Sequence, residues 1–172
     1  MRHVDARLVR TPQQRIAALA ASADEVVREL DSAEGSDREL DLGEAWAGIH
    51  FLLTGEVPVP REVAERLGDH WEEDSPENAL MGGSPTPFLG SFGPARYRSP
   101  GEVARTAARL REIGVEEFRG RYDADTLAAE EIPPDVWDEG EAQEWLTSSY
   151  ARLQRFYDET AADGAGLVVY FV

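Results

Sequence analysis

The closing run Leu167-Val168-Val169-Tyr170-Phe171-Val172 has no charged residue and no polar–apolar alternation. An alternating strand can leave one face in water, but a continuous β-branched and aromatic run suits a strand buried on both faces. At the other end, Val4 to Val9 has short strand character before Thr11-Pro12 punctuates it. Strands at both ends with helices between them predict an α+β fold. It would be built on one mixed sheet that pairs the N- and C-terminal strands and is covered by several helices. With 172 residues, no internal repeat and no linker long enough to divide it, the chain reads as a single α+β domain over 1–172. A domain of that size buries about 68–70% of its unfolded surface, so its core needs no disulfide or structural metal.

Between the ends, helix signals follow one another. Thr11 with Gln14, Ser22 with Glu25, and Ser99 with Glu102 each have the spacing of a capping box. Asp41 followed by Glu44 predicts the start of a helix running to about Thr54, with Gly55 placed to stop it. Leu42, Ala45, Trp46, Ile49, Leu52 and Leu53 share one face of that helix and Phe51 projects from the other, so it is expected to be central and covered on two sides. Val57 to Gly93 is the least regular stretch, with short helices expected at Pro60 to Leu67 and from Ser75, and a short strand at Phe88 to Phe92. Gly93 to Arg98 reads as a strand. Helices follow Ser99 and span Val115 to Arg121, Asp123 to Glu131 and about Gly140 to Ala162.

Charge narrows the chemistry. The chain has 34 acidic residues against 17 basic ones, a formal −17, and every basic residue is Arg. Such a balance repels nucleic-acid phosphates and anionic membranes, so neither is an expected partner. Without Lys there is no Schiff-base chemistry and no P-loop lysine. Without Cys there is no disulfide, thiolate nucleophile or Cys-based zinc site. The N-terminus lacks the apolar run of a signal peptide, and no segment approaches the ~20 apolar residues of a spanning helix. A cytoplasmic location is the expectation.

Several segments together carry a resemblance. They are Glu44-Ala45-Trp46-Ala47-Gly48-Ile49-His50-Phe51-Leu52-Leu53-Thr54-Gly55, then Gly82-Gly83, then Gly93-Pro94-Ala95-Arg96-Tyr97. Ile132 to Trp137 and Gly166-Leu167-Val168-Val169-Tyr170 complete the set. In order and over most of the chain, the sequence resembles the YfbM-like family of bacterial proteins of unknown function. It departs from that pattern at Pro58 to Asp74, a longer and more acidic segment. The resemblance implies a fold and a compartment but no mechanism.

His50 stands at the edge of the buried helical stripe, where an imidazole at the boundary of core and solvent would serve as general base or bind an anion. The plainer reading is a histidine that hydrogen-bonds a neighbouring loop. Trp46, one helical turn earlier, would share its site. Arg96 and Tyr97 point to opposite faces of their strand; Arg96 would clamp a carboxylate or phosphate, or else pair with one of the many acidic side chains. Gly82-Gly83 would turn backbone N–H groups on an anion, or simply turn the chain into a strand. Trp137, after Pro133-Pro134, would wall a pocket or pack its loop onto the core. Asp69-His70-Trp71-Glu72-Glu73-Asp74 concentrates ligand atoms but lacks metal-site spacing, and Asp123 and Asp125 suit a helix cap. No metal and no cofactor is called for.

Two functions remain. One is a small binding or protein-interaction module whose acidic character and irregular middle segment recognise a protein partner or small molecule. The other is a small enzyme using His50 as acid/base on an anionic substrate held by Arg96 or the Gly82-Gly83 amides. The sequence leaves the oligomeric state open.

Overall fold

The computed structural model describes residues 3–172 except 70 and 73. Its sheet contains β1 (Ala6–Thr11), β2 (Glu39–Gly43), β3 (Ser84–Gly90), β4 (Gly93–Arg98) and β5 (Gly166–Phe171), in the spatial order β2-β1-β5-β4-β3. The C-terminal strand lies in the middle and pairs with the N-terminal one along its full length, Ala6 opposite Phe171 through Thr11 opposite Gly166. All six residues of β5 are buried, as the unbroken apolar run requires.

Both faces of the sheet are covered. Leu8, Leu167, Val169 and Phe171 belong to the larger core, with Trp46, Ile49, Leu110, Leu146 and Tyr157. These come from α3 (Ala45–Thr54), α6 (Pro100–Glu112) and α9 (Ala142–Ala162). On the other face Val9, Ala95, Val168 and Tyr170 meet Leu19 of α1 (Ile16–Ala21) and Val26, Leu30 and Ala33 of α2 (Ala23–Ala33). Period-two alternation along each strand divides these sets. The shorter helices are α4 (Arg61–Arg66), α5 (Asn78–Met81), α7 (Val115–Gly120) and α8 (Ala124–Ala129), and a turn of 3-10 helix at Gln13–Arg15 follows β1.

The α+β fold with paired termini is as expected, but the strand directions are more uniform than the mixed sheet anticipated: every ladder is antiparallel. Glu39 at the start of β2 lies opposite Val9 near the end of β1, so α1 and α2 return the chain to the end of the sheet it has just left. A parallel neighbour would have needed a crossover to the opposite end.

Two helix starts differ from expectation. Thr11 is a buried strand residue whose hydroxyl donates to the Val9 carbonyl (3.2 Å), and it caps nothing. Asp41 lies in β2, where Leu40 and Leu42 alternate inward, and its carboxylate accepts from the Gly43 N–H (2.8 Å). Helix α3 therefore begins only at Ala45, and Leu42 is a strand residue rather than part of its stripe. It stops as expected at Gly55, whose φ of 76° is the left-handed C-cap conformation.

The other caps form. Ser22 accepts from the Glu25 N–H, and at α6 the box is complete: Ser99 Oγ accepts from the Glu102 N–H (3.2 Å) while Glu102 accepts from the Ser99 N–H (3.3 Å). Removing the α6 box with Ser99→Ala is expected to cost about 1 kcal/mol in urea unfolding. A loss of a few tenths or less would mean that water replaces the cap.

Candidate functional site

Trp46 opens α3 and its ring lies across the end of the sheet. The indole Nε1–H donates to the Val4 carbonyl (2.7 Å), tying the helix to the segment before β1. The ring meets Phe92 and Phe171 edge-on, at centroid distances of 5.0 and 4.8 Å. Edge-to-face packing places the positive rim of one ring on the negative face of the next, so Phe171 braces Trp46 and Phe92, and those two form a fixed floor.

Above that floor lies a cleft of about 440 Å³ whose lining is chiefly apolar. Its apolar lining is Val4, Trp46, Phe92 and Val57 together with Pro58, Pro133 and Pro134. Proline has no N–H, so a wall built from it leaves few backbone donors to be satisfied and can remain apolar. The polar side chains at the cleft are His3, Glu44 and Asp135, with His3 Nδ1 against the Glu44 carboxylate. The lining joins the pre-β1 segment, the start of α3, the β3–β4 turn and the loop before α9, which meet only in the folded chain.

His50 is one turn further along α3 but faces elsewhere. It is 3% exposed, lies inside the core rather than at its boundary, and lines neither the cleft nor the cavities around Arg61, Arg96 and Arg98. Burial pulls its imidazole down to about pKa 4, with no charge partner contributing, so the ring is neutral at pH 7. The expected boundary position fails because α3 is covered on nearly every side: eight of its ten residues are buried.

Arg96 is buried on β4. It donates to the Gly83 carbonyl (2.8 Å) and pairs with Glu62 of α4. Burial pulls its guanidinium below the usual range, and the Glu62 carboxylate opposes that shift. Tyr97 faces the opposite side of the sheet, against the smaller core. Gly83 leads into β3 with φ of 100°, and a Cβ there would fall 2.6 Å from the Tyr97 carbonyl oxygen. A Cβ on Gly82 would meet the Asn78 side chain at 2.5 Å. The Gly82-Gly83 pair thus allows close passage of the chain at a sheet edge.

Trp137 is 2% exposed and packs into the core instead of walling the cleft; its neighbours Pro133, Pro134 and Asp135 form the wall. Asp123 caps α8 by accepting from the Thr126 N–H (3.0 Å). Of the acidic run at 69–74, His70 and Glu73 lie outside the described residues, and Trp71 stacks against Arg61 (5.0 Å). Among the described residues no group of three His, Asp or Glu side chains could hold a metal ion, and no helix is long and apolar enough to cross a membrane.

Of the candidate site residues read from the sequence, Trp46 alone lines the large cleft. Val4, Pro58 and Phe92 were missed there, as were Arg61 and Arg98 in a second cavity. An aromatic or proline in an irregular stretch was the available signal, but it does not say which segments meet.

A family model described as a domain of unknown function (DUF1877) matches residues 5–170. Among solved structures, the chain is similar to the crystal structure of YfbM, a protein of unknown function from Escherichia coli. The two are 22% identical with a TM-score of 0.70, over 98% of this chain and 99% of that one, which shows a shared fold. No curated protein gives a significant match.

Proposed function

The chain belongs to the DUF1877 family of domains of unknown function, and from that premise we propose that it is a cytoplasmic binding module, a single domain that grips a basic protein segment through an apolar side chain. The single observation behind this reading is the cleft beside Trp46. It has room for an aromatic side chain, a preformed aromatic floor and little polar lining, which are the attributes of an anchor pocket. The choice of a basic segment rests on charge. Glu44 and Asp135 stand at the cleft in a chain of formal charge −17, so long-range attraction favours a cationic partner. Two segments on which the family resemblance rests meet here: the start of α3, through Glu44 and Trp46, and the Ile132–Trp137 loop, through Pro133, Pro134 and Asp135.

The enzyme reading has less support. Its proposed base, His50, is buried and neutral, and it is not in the lining of the cleft that the binding reading uses.

The test is calorimetric titration with three capped tripeptides, Arg-Trp-Arg, Arg-Ala-Arg and Glu-Trp-Glu. The first is expected to bind at least tenfold more tightly than either of the others. Val57→Lys, which puts a charge on the exposed lip of the cleft, is expected to weaken it to the level of the controls. Equal affinities for all three peptides, or no binding by any, would overturn the reading.

A further inference from the structure

Two proline-bearing segments line the Trp46 cleft, and they are held very differently. In the loop before α9 the Val136 N–H donates to the Pro134 carbonyl (2.9 Å). The Trp137 indole donates to the Ile132 carbonyl (2.6 Å) and the Tyr122 hydroxyl to the Trp137 carbonyl (2.6 Å), so hydrogen bonds brace Pro133 and Pro134 from both flanks. Val57 and Pro58 belong instead to the connection 56–60 between α3 and α4, which is fastened only at its ends. The Glu56 N–H donates to Thr54 Oγ1 (3.0 Å) beside the Gly55 cap. The Pro60 carbonyl accepts from the Val63 and Ala64 N–H groups (2.8 and 3.1 Å) as α4 begins, and the Glu62–Arg96 pair holds α4 to β4.

Between those points Val57, Pro58 and Val59 neither donate nor accept a hydrogen bond among the described residues. Neither valine belongs to a hydrophobic core or packs against one, and Val57 is 43% exposed. Composition nevertheless keeps the segment stiff. Pro58 and Pro60 lock their own φ and confine Val57 and Val59 before them to extended backbone. A stiff stretch with fixed ends and no bonds along its length shifts as a unit, through the residues that flank it. Local opening costs least where so few contacts must break.

We propose that residues 57–59 form a strap that swings aside to admit an apolar side chain to the cleft and settles back over it, becoming ordered only when the cleft is filled. The inference rests on the reading of the cleft as an anchor pocket. Trp46 and Phe92 are braced by Phe171, and the Pro133-Pro134 loop is hydrogen-bonded, so neither gives way without breaking contacts. The strap is the part of the lining that moves without breaking a hydrogen bond, and Val57 and Pro58 carry apolar surface with it. Opening at the strap therefore gives a ligand its way in, and closure adds contacts that hold it.

The test follows NMR relaxation of the Val57 and Val59 amides in the intact chain, with Val136 on the braced loop as reference. It is made before and after saturation with Arg-Trp-Arg and, in a separate arm, with indole, which fills an apolar cleft without a charge. Lower order or exchange broadening at both valines in the free chain, absent at Val136 and removed on saturation, is the expected result. Val59→Gly changes a residue outside the cleft lining and widens the freedom that closure must remove, so it is expected to weaken Arg-Trp-Arg about threefold. Its urea midpoint should hardly move, because the folded strap keeps that freedom; a fixed segment would lose stability instead. If indole orders both valines while Arg-Trp-Arg does not bind, the strap stands and the peptide reading falls. If Arg-Trp-Arg binds and the valines are unchanged, the peptide reading stands and the strap falls. Valines as ordered as Val136 in the free chain, no response to either ligand, or unchanged peptide affinity in Val59→Gly would overturn the strap.

Discussion

Acidification from pH 7 to pH 5 is expected to remove about 2 kcal/mol of stability through His50 alone, and about 3 kcal/mol by pH 4. The imidazole is held at about pKa 4 in the fold, against 6.5 when exposed. Its folded value is depressed, so below pH 6.5 the unfolded chain takes up a proton that the folded chain refuses. Stability is therefore complete above pH 6.5 and falls as pH drops toward 4, where the folded state also becomes protonated. Other groups titrate nearby. Arg15 and Arg119 hold the Glu25 and Glu144 carboxyls below their ordinary range, so those contributions are lost only at more acidic pH. Glu77, pushed up by burial, acts in the opposite direction. Comparison with His50→Leu cancels all three. Urea unfolding midpoints measured from pH 7 to pH 4.5 are expected to fall much more steeply in the natural chain than in the variant. Parallel curves would place the ring in contact with water and remove the reason for discounting it as an inaccessible base.

The same residue shows where sequence ceases to determine position. The apolar pattern of α3 was plain, as were the Gly55 stop, the Ser22 and Ser99 caps and the interior C-terminal strand, because each is set by spacing within a few residues. Whether His50 stood at an edge depended on what covered the helix, and those groups come from residues far along the chain. Strand β2 was missed for a local reason: Asp41 and Glu44 mimic a helix start, while the alternation of Leu40 and Leu42 is only five residues long. Strand β3 was expected to begin at Phe88, since Pro85 and Pro87 argue against a strand. It begins at Ser84 and lies at the sheet edge, where proline's missing N–H leaves few ladder bonds to lose. The Trp46 cleft was legible only through Trp46 itself. Its other walls are brought together by tertiary packing, for which single residues carry no periodic signal.

Trp137→Ala is expected to cost about 3–5 kcal/mol, the loss typical of truncating a buried tryptophan, and to abolish peptide binding as well. The ring is clamped from several sides. Its Nε1–H donates to the Ile132 carbonyl (2.6 Å), the Tyr122 hydroxyl donates to the Trp137 carbonyl (2.6 Å), and the far edge of the indole lies over Gly48 in the middle of α3. A Cβ at Gly48 would stand 2.6 Å from Trp137 Cη2 and 3.0 Å from a Leu146 methyl. Glycine at this helical position thus serves close approach, at a propensity cost of about 1 kcal/mol relative to alanine. The contact makes the two residues non-additive. Gly48→Ala alone should destabilise the protein by about 1–3 kcal/mol through overpacking, but in the Trp137→Ala background much of that penalty should vanish and the better helix former partly restore stability. Because Trp137 anchors the loop whose Pro133, Pro134 and Asp135 wall the cleft, losing the ring frees that wall even in molecules that remain folded. A double-mutant cycle from urea melts, with Arg-Trp-Arg titrations of the folded variants, measures both effects. Additive costs at positions 48 and 137 would show that the indole does not rest on the helix, and unchanged peptide affinity in folded Trp137→Ala would separate the loop from the cleft.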